Sequence, residues 1–149
     1  MRNVIVFAVG AARYAIELRW VREVFPLGHV TPIPRAPSAV VGVFNLRGAI
    51  VPLLDVEVLF ARDAVATGID HGDSGIVIEV DDTAAALRAT RVLEVSTLAP
   101  PSPERSDEVV DSTGLLVLVL DPPALLQRLK QAATAVAAVA SRGVGDERR

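Results

Sequence analysis

The sequence predicts a mainly β domain closed by a C-terminal amphipathic helix. Three observations carry that prediction. Short apolar or alternating runs are broken by turn residues through most of the chain. Two polar connections, at 61–75 and 96–108, separate groups of these runs. After Asp121 the apolar period changes from two to about 3.6 residues.

The elements follow in order. "VIVFAV" is a β-branched run, "GAAR" a turn and "YAIEL" an alternating strand, so the chain opens on a hairpin. In "WVREV", Trp20, Arg22 and Val24 share one face and Val21, Glu23 and Phe25 the other, and the pattern leaves open which is buried. "PLGHVTPIPRAP" holds four prolines and reads as an irregular connection or broken edge strand. "SAVVG" has room for one helical turn capped by Ser38. In "VFNLRGAIVPLLDVEVLF", Phe44 and Leu46 alternate with Asn45 and Arg47, Gly48 bends the chain, and "AIVPLLDVEV" returns as the partner strand. Pro52 cannot donate a ladder hydrogen bond, which calls for an edge position or a bulge.

Residues 61–75 read as a mobile loop. "IVIEV" is a strand, "DDTA" a turn, "AALRATRVLEV" one or two strands, and "GLLVLVL" a strand buried on both faces. Asp121 is placed to cap a helix with Pro123 in its first turn, and Leu125, Leu129, Ala132, Val136 and Val139 recur on one face. That helix is expected over 122–141, followed by a disordered tail at 142–149.

Composition narrows the function. The chain has 149 residues, is half apolar and carries a net charge of −3, with Lys130 its one lysine. A clustered basic face for nucleic acid is absent. With no cysteine, disulfides, thiolate nucleophiles and cysteine metal sites are excluded. "MRNVIVFAVG" is no signal peptide, and "AATAVAAVA" is far short of a bilayer span, so a soluble cytoplasmic protein is expected. His29 and His71 lack metal-ligand spacing, and "DHGD" at 70–73 reads as a solvated turn. Asp81 and Asp82 are adjacent and would point to opposite faces of a strand, which rules them out as a catalytic pair. Phosphate-loop and serine-nucleophile motifs are absent. The expectation is therefore no enzyme, no cofactor and no metal. Arg47 remains the odd residue. It is either an exposed arginine with a local ion pair or a rigid cationic fork on an apolar shelf, as interface anchors are built.

These residues resemble a known family. "FAVGAARYAIEL", "VREV", "VTPIPRAPSAVVGVFNLRGAIVPLLDV" and "LVLVLD" are similar to the CheW-like domain of bacterial chemotaxis coupling proteins, over residues 4–60 and more weakly over 74–130. The resemblance implies two small SH3-like β-barrels sharing a hydrophobic core: one over 3–60, the other over 76–121. It implies a non-enzymatic adaptor that binds chemoreceptor cytoplasmic tips, near the membrane through protein contacts alone, and docks on the regulatory domain of a CheA-type histidine kinase. Asn45, Leu46, Arg47 and Gly48 match the family's signature turn, Gly42 the glycine before it, and Val21 and Glu23 strand positions tied to kinase or receptor binding. The second half departs from the pattern. Thr90 stands where the family has an aspartate, Ala86 where it has a glycine, and "SPERSDEVVDSTG" leaves room for only part of a strand. A shortened second barrel with an unpaired edge follows, and with it the alternative of an adaptor that binds receptors but not the kinase. A ligand-binding or enzymatic barrel, and a self-associating scaffold, are the readings from other classes.

Overall fold

The computed structural model describes residues 2–60, 72–98, 108–110 and 114–131. Strands β1 (Arg2–Val9) and β2 (Ala12–Glu17) form the opening hairpin, turned at Gly10 with φ +59°. A 3-10 turn, Leu18–Trp20, leads into β3 (Val21–Pro26). β4 (Val40–Leu46) and β5 (Ala49–Leu54) form the second hairpin, followed by the short helix α1 (Val56–Phe60). β6 (Ser74–Val80) and β7 (Thr83–Ala89) form the third, turned by Asp81 and Asp82, both at positive φ. Two positive φ values are what a two-residue hairpin turn of the right twist requires, and aspartate tolerates them. β8 (Arg91–Leu98), β9 (Glu108–Val110), β10 (Leu116–Val119) and a helix, α2, over 122–131 complete the described chain.

The strands make two five-stranded sheets, in the orders β8-β1-β2-β10-β9 and β3-β6-β7-β5-β4. The expected division into barrels at 3–60 and 76–121 does not match these sheets. Each sheet draws strands from both halves of the chain, because the chain crosses over at the 3-10 turn and again at Thr90. Thr90 is the single residue between β7 and β8. Its N–H and hydroxyl both donate to the Ala8 carbonyl (2.9 and 2.9 Å), and its hydroxyl accepts from Gly10 N–H (3.2 Å), so the second crossover is pinned to the first hairpin turn. The missing strand is present in short form: β9 pairs with β10 over three residues, so the first sheet keeps five strands.

Between the sheets lies one core. Ile5, Phe7 and Ile16 of the first sheet meet Ile76, Ile78 and Leu87 of the second, with Leu120, Leu125 and Leu126 closing one side. Val4, Val6, Ala15, Val117 and Val119 form a second cluster on the other face of the first sheet. β1 is thus buried on both faces, which explains its unbroken apolar run. The same expectation holds for only part of "GLLVLVL": Val117 and Val119 of β10 are buried, but Leu116 and the preceding Leu115 are exposed. Asp121 caps α2 as expected, its carboxylate accepting from Ala124 N–H at 3.5 Å and its carbonyl from Leu125 N–H at 2.9 Å. Positions 132–149 of the expected helix and tail, and 61–71 of the expected loop, lie outside the described residues; Ser74 and Gly75, expected in that loop, are already in β6.

Two local expectations need correction. "SAVVG" is not helical. Val40 N–H closes a turn onto the Pro37 carbonyl (2.9 Å), and β4 starts at Val40. "DVEV" is not strand either: Asp55 ends β5, and its carboxylate accepts from Glu57 N–H (2.9 Å) and Val58 N–H (3.4 Å), capping α1. Pro52 is accommodated without an edge strand. Opposite it, Val43 exchanges both backbone bonds with Thr31 (2.8 and 2.8 Å), so the Val43–Pro52 pair is a non-hydrogen-bonded one. The proline nitrogen faces the β7 side, where pairing begins only at Leu53.

Candidate functional site

The site is built on the β4–β5 hairpin. Leu46 pairs with Ala49, leaving Arg47 and Gly48 as a two-residue turn with φ values of +52° and +90°. Gly48 takes such a φ freely; Arg47 does so at a cost of roughly 1–2 kcal/mol. Asn45 offsets part of it, its side-chain oxygen accepting from Gly48 N–H at 2.8 Å. Leu46 packs against the cluster of Phe44, Val51, Leu53, Val77 and Ala86 inside the second sheet. One residue anchors the turn, one caps it, one bends it, and Arg47 is left projecting with 76% of its side chain exposed.

β3 and β4 are the end strands of their sheet, yet their side chains meet. Phe25 and Phe44 have ring centroids 5.0 Å apart, and Arg47 Nη2 donates to Glu23 Oε2 at 2.7 Å. The sheet is therefore rolled until its ends face one another, with Thr31 bridging to Val43 between them. On β3 the half-buried face is the one of Val21, Glu23 and Phe25. Gly42 lies away from the exposed turn, under the 30–31 segment, where a Cβ would meet the Thr31 carbonyl oxygen at 2.5 Å. Val21 packs toward the shared core. Of the seven residues singled out from sequence, Asn45, Leu46, Arg47, Gly48 and Glu23 come together, while Gly42 and Val21 lie apart from the turn. Beside them His29, Thr31, Val43, Phe44, Asn45 and Ile50 line a shallow depression of about 340 Å³, with Ile50 67% exposed.

A polar cluster was not legible in the sequence. Arg88 on β7 is 3% exposed; its Nε donates to Asp73 Oδ2 at 3.1 Å, and its Nη1 lies 3.6 Å from Asp55 Oδ2. Asp73 is thus not part of a solvated turn: it is buried because it balances a buried guanidinium. Asp55 serves two neighbours, with one oxygen on Arg88 and the other capping α1. The signal available was an arginine inside an apolar strand, "AALRA", but its partners are distant in sequence. Asp70 and His71 lie outside the described residues, and the described residues contain no group of three or more His, Asp or Glu suited to a metal.

Tyr14 stacks on Phe7 (5.7 Å, 28°) near this cluster. Burial, then the charges of Glu57 and Asp55, push its phenol up to about 12. Glu57 is likewise raised, by burial first and the Asp55 charge second, against a lowering pull from Arg88. For Tyr14 the consequence is signed. Above pH 10 the unfolded chain releases this proton while the folded chain keeps it, so stability falls as pH rises from about 10 to about 12. Tyr14 is the only tyrosine, so phenolate absorbance reports it alone. A folded-state midpoint near 10, or an alkaline loss of stability that survives in Tyr14→Phe, would contradict this.

Comparison with known proteins places this architecture. Residues 3–130 match the model of the CheW-like domain. The chain is 29% identical over 124 residues to a chemotaxis protein CheW of Rhizobium meliloti, covering 80% of this chain and 79% of that one. It is 32% identical over 142 residues to the protein FrzA of Myxococcus xanthus, covering 87% and 88%. Its fold matches the crystal structure of the scaffolding protein TtCheW from Thermoanaerobacter tengcongensis with a TM-score of 0.67 at 23% identity, over 80% of this chain and 84% of that one. With residues 3–130 matched, and with them almost all of both five-stranded sheets, the chain belongs to the CheW-like domain family.

Proposed function

We propose that this chain is a non-enzymatic adaptor of a chemosensory signalling system. It binds the cytoplasmic tip of a chemoreceptor and docks on the regulatory domain of a CheA-type histidine kinase, with Asn45, Leu46, Arg47, Gly48 and Glu23 as the contact region. The observation that carries the reading is Arg47: an exposed arginine whose backbone is held in a costly conformation by a capped turn, with the exposed apolar side chain of Ile50 two positions past that turn. Such a preorganised cation next to apolar surface is the form of an interface anchor. Membership of the family and the scaffold relative support the adaptor class. No helix among the described residues is long and apolar enough to cross a membrane.

Arg47→Glu is expected to weaken binding to a receptor-tip fragment by tenfold or more while shifting the melting temperature little. Its ion pair with Glu23 lies at the surface, and such pairs contribute about 0–1 kcal/mol. If the variant melts much earlier and binds normally once folded, Arg47 is a structural brace. Wild-type chain that captures neither the receptor tip nor the kinase regulatory domain would remove the adaptor reading. The three-residue β9 favours a second version in which the receptor alone is bound. Capture of the tip without the kinase domain identifies it.

A further inference from the structure

Arg47 is not the only arginine placed in left-handed backbone. Arg35 has φ +62°, and Ala36 N–H reaches the Ile33 carbonyl at 3.4 Å, so Ile33-Pro34-Arg35-Ala36 forms a turn with Arg35 at its third position. That position in a turn with positive φ is the natural place of glycine or asparagine. Prolines at 32, 34 and 37 restrict the flanking backbone, so the turn is rigid as well as strained. Nothing within the described molecule rewards the placement. Arg2, Arg19, Arg22, Arg47 and Arg88 each hold a carboxylate, whereas Arg35 is exposed and has no hydrogen bond or ion pair among the described residues. Arg91 is also exposed, but it sits in ordinary strand geometry on β8. Beside Arg35, Ile33 is 43% exposed. The pair therefore repeats the composition of the Arg47–Ile50 surface: an exposed arginine on a conformationally restricted turn with an exposed β-branched side chain nearby.

We propose that the Ile33–Arg35 turn is a second docking element, which takes a carboxylate on the receptor tip that the Arg47 turn engages, the kinase regulatory domain being the comparison in the test. Thr31 pairs with Val43 at mid-strand, so the turn lies beyond the Val40 end of β4 and Arg47 beyond the Leu46 end. Seven strand residues separate them, roughly 20 Å. Two anchors at that spacing read an extended acidic surface, and at that distance their contributions add.

This inference rests on the adaptor reading, and the test separates the two. Binding of the full chain to the receptor-tip fragment and to the kinase regulatory domain is compared with that of Arg35→Gly and Arg35→Asn, which both fit left-handed backbone. Each variant is expected to melt at a higher temperature than the wild type and to bind the receptor tip about tenfold more weakly. Combined with Arg47→Glu, the two losses multiply. Wild-type chain that binds neither probe ends the adaptor reading and this inference with it. Wild-type binding matched by both variants overturns this inference alone. A lower melting temperature in both variants overturns it too, since Arg35 would then be supporting the fold.

Discussion

Replacing Arg88 with methionine is expected to destabilise the fold by about 3–5 kcal/mol, the range found when one partner of a buried ion pair is removed. The substitution keeps an unbranched chain of similar length but leaves Asp73 and Asp55 without their cation in a site where all three side chains are 6% exposed or less. For a domain of ordinary stability that is a third or more of the total. The damage spreads because Asp55 also caps α1 and its N–H bonds the Ala39 carbonyl at 2.8 Å, so a carboxylate that moves to find water loosens two connections. Urea unfolding followed by the single tryptophan, Trp20, measures it. Adding Asp73→Asn to Arg88→Met should recover part of the loss, because one uncompensated charge is removed. A loss below about 1 kcal/mol would mean that water reaches the cluster and that the pair behaves as a surface one.

The second large effect is expected at Gly42. In Gly42→Ala the added carbon would lie 2.5 Å from the Thr31 carbonyl oxygen, 2.7 Å from Val30 Cγ1 and 2.9 Å from the Thr31 carbonyl carbon. Two of these are main-chain atoms that cannot rotate away. Relief requires the 30–31 segment to lift from β4, breaking the two Thr31–Val43 bonds of 2.8 Å. Overpacking and two lost bonds together give about 2–4 kcal/mol. The diagnostic is hydrogen exchange, with the amides of Thr31 and Val43 losing protection first. This residue was singled out from sequence for partner binding. A variant of unchanged stability and exchange that fails to bind partners would return it to that role.

Much of the fold was legible because its signals are local. The β1–β2 hairpin shows in its turn and alternation, the Asn45–Gly48 bend in a glycine and a capping amide, and the start of α2 in Asp121 and two prolines. Misreadings came where two local patterns coincide. "DVEV" alternates apolar and polar residues as a strand does, yet a helix of five residues is too short to display its own period, and only the capping aspartate marks it. Asp73 sits in a polar, glycine-containing stretch and looked solvated. Its partner Arg88 is fifteen positions away, and no periodicity connects them. The pairing of sheets was invisible for the same reason, since strand alternation reports which face is buried but not which strand lies alongside. At the site, the turn and its arginine were legible, whereas the contact with Glu23 depends on the rolling of the sheet.

The order β8-β1-β2-β10-β9 joins the earliest strands to the latest ones described, and β3-β6-β7-β5-β4 reaches from Val21 to Ala89. A ribosome releasing the chain N-terminus first delivers β1 and β2 long before either of their outer neighbours exists. Until β8 and β10 emerge, that hairpin carries Val4, Val6, Ile5 and Phe7 with both edges open, which is the form in which strands pair with the wrong chain. The interleaving that gives the molecule one shared core therefore postpones its closure until β8 and β10 have emerged, and leaves the opening hairpin open to mispairing until then.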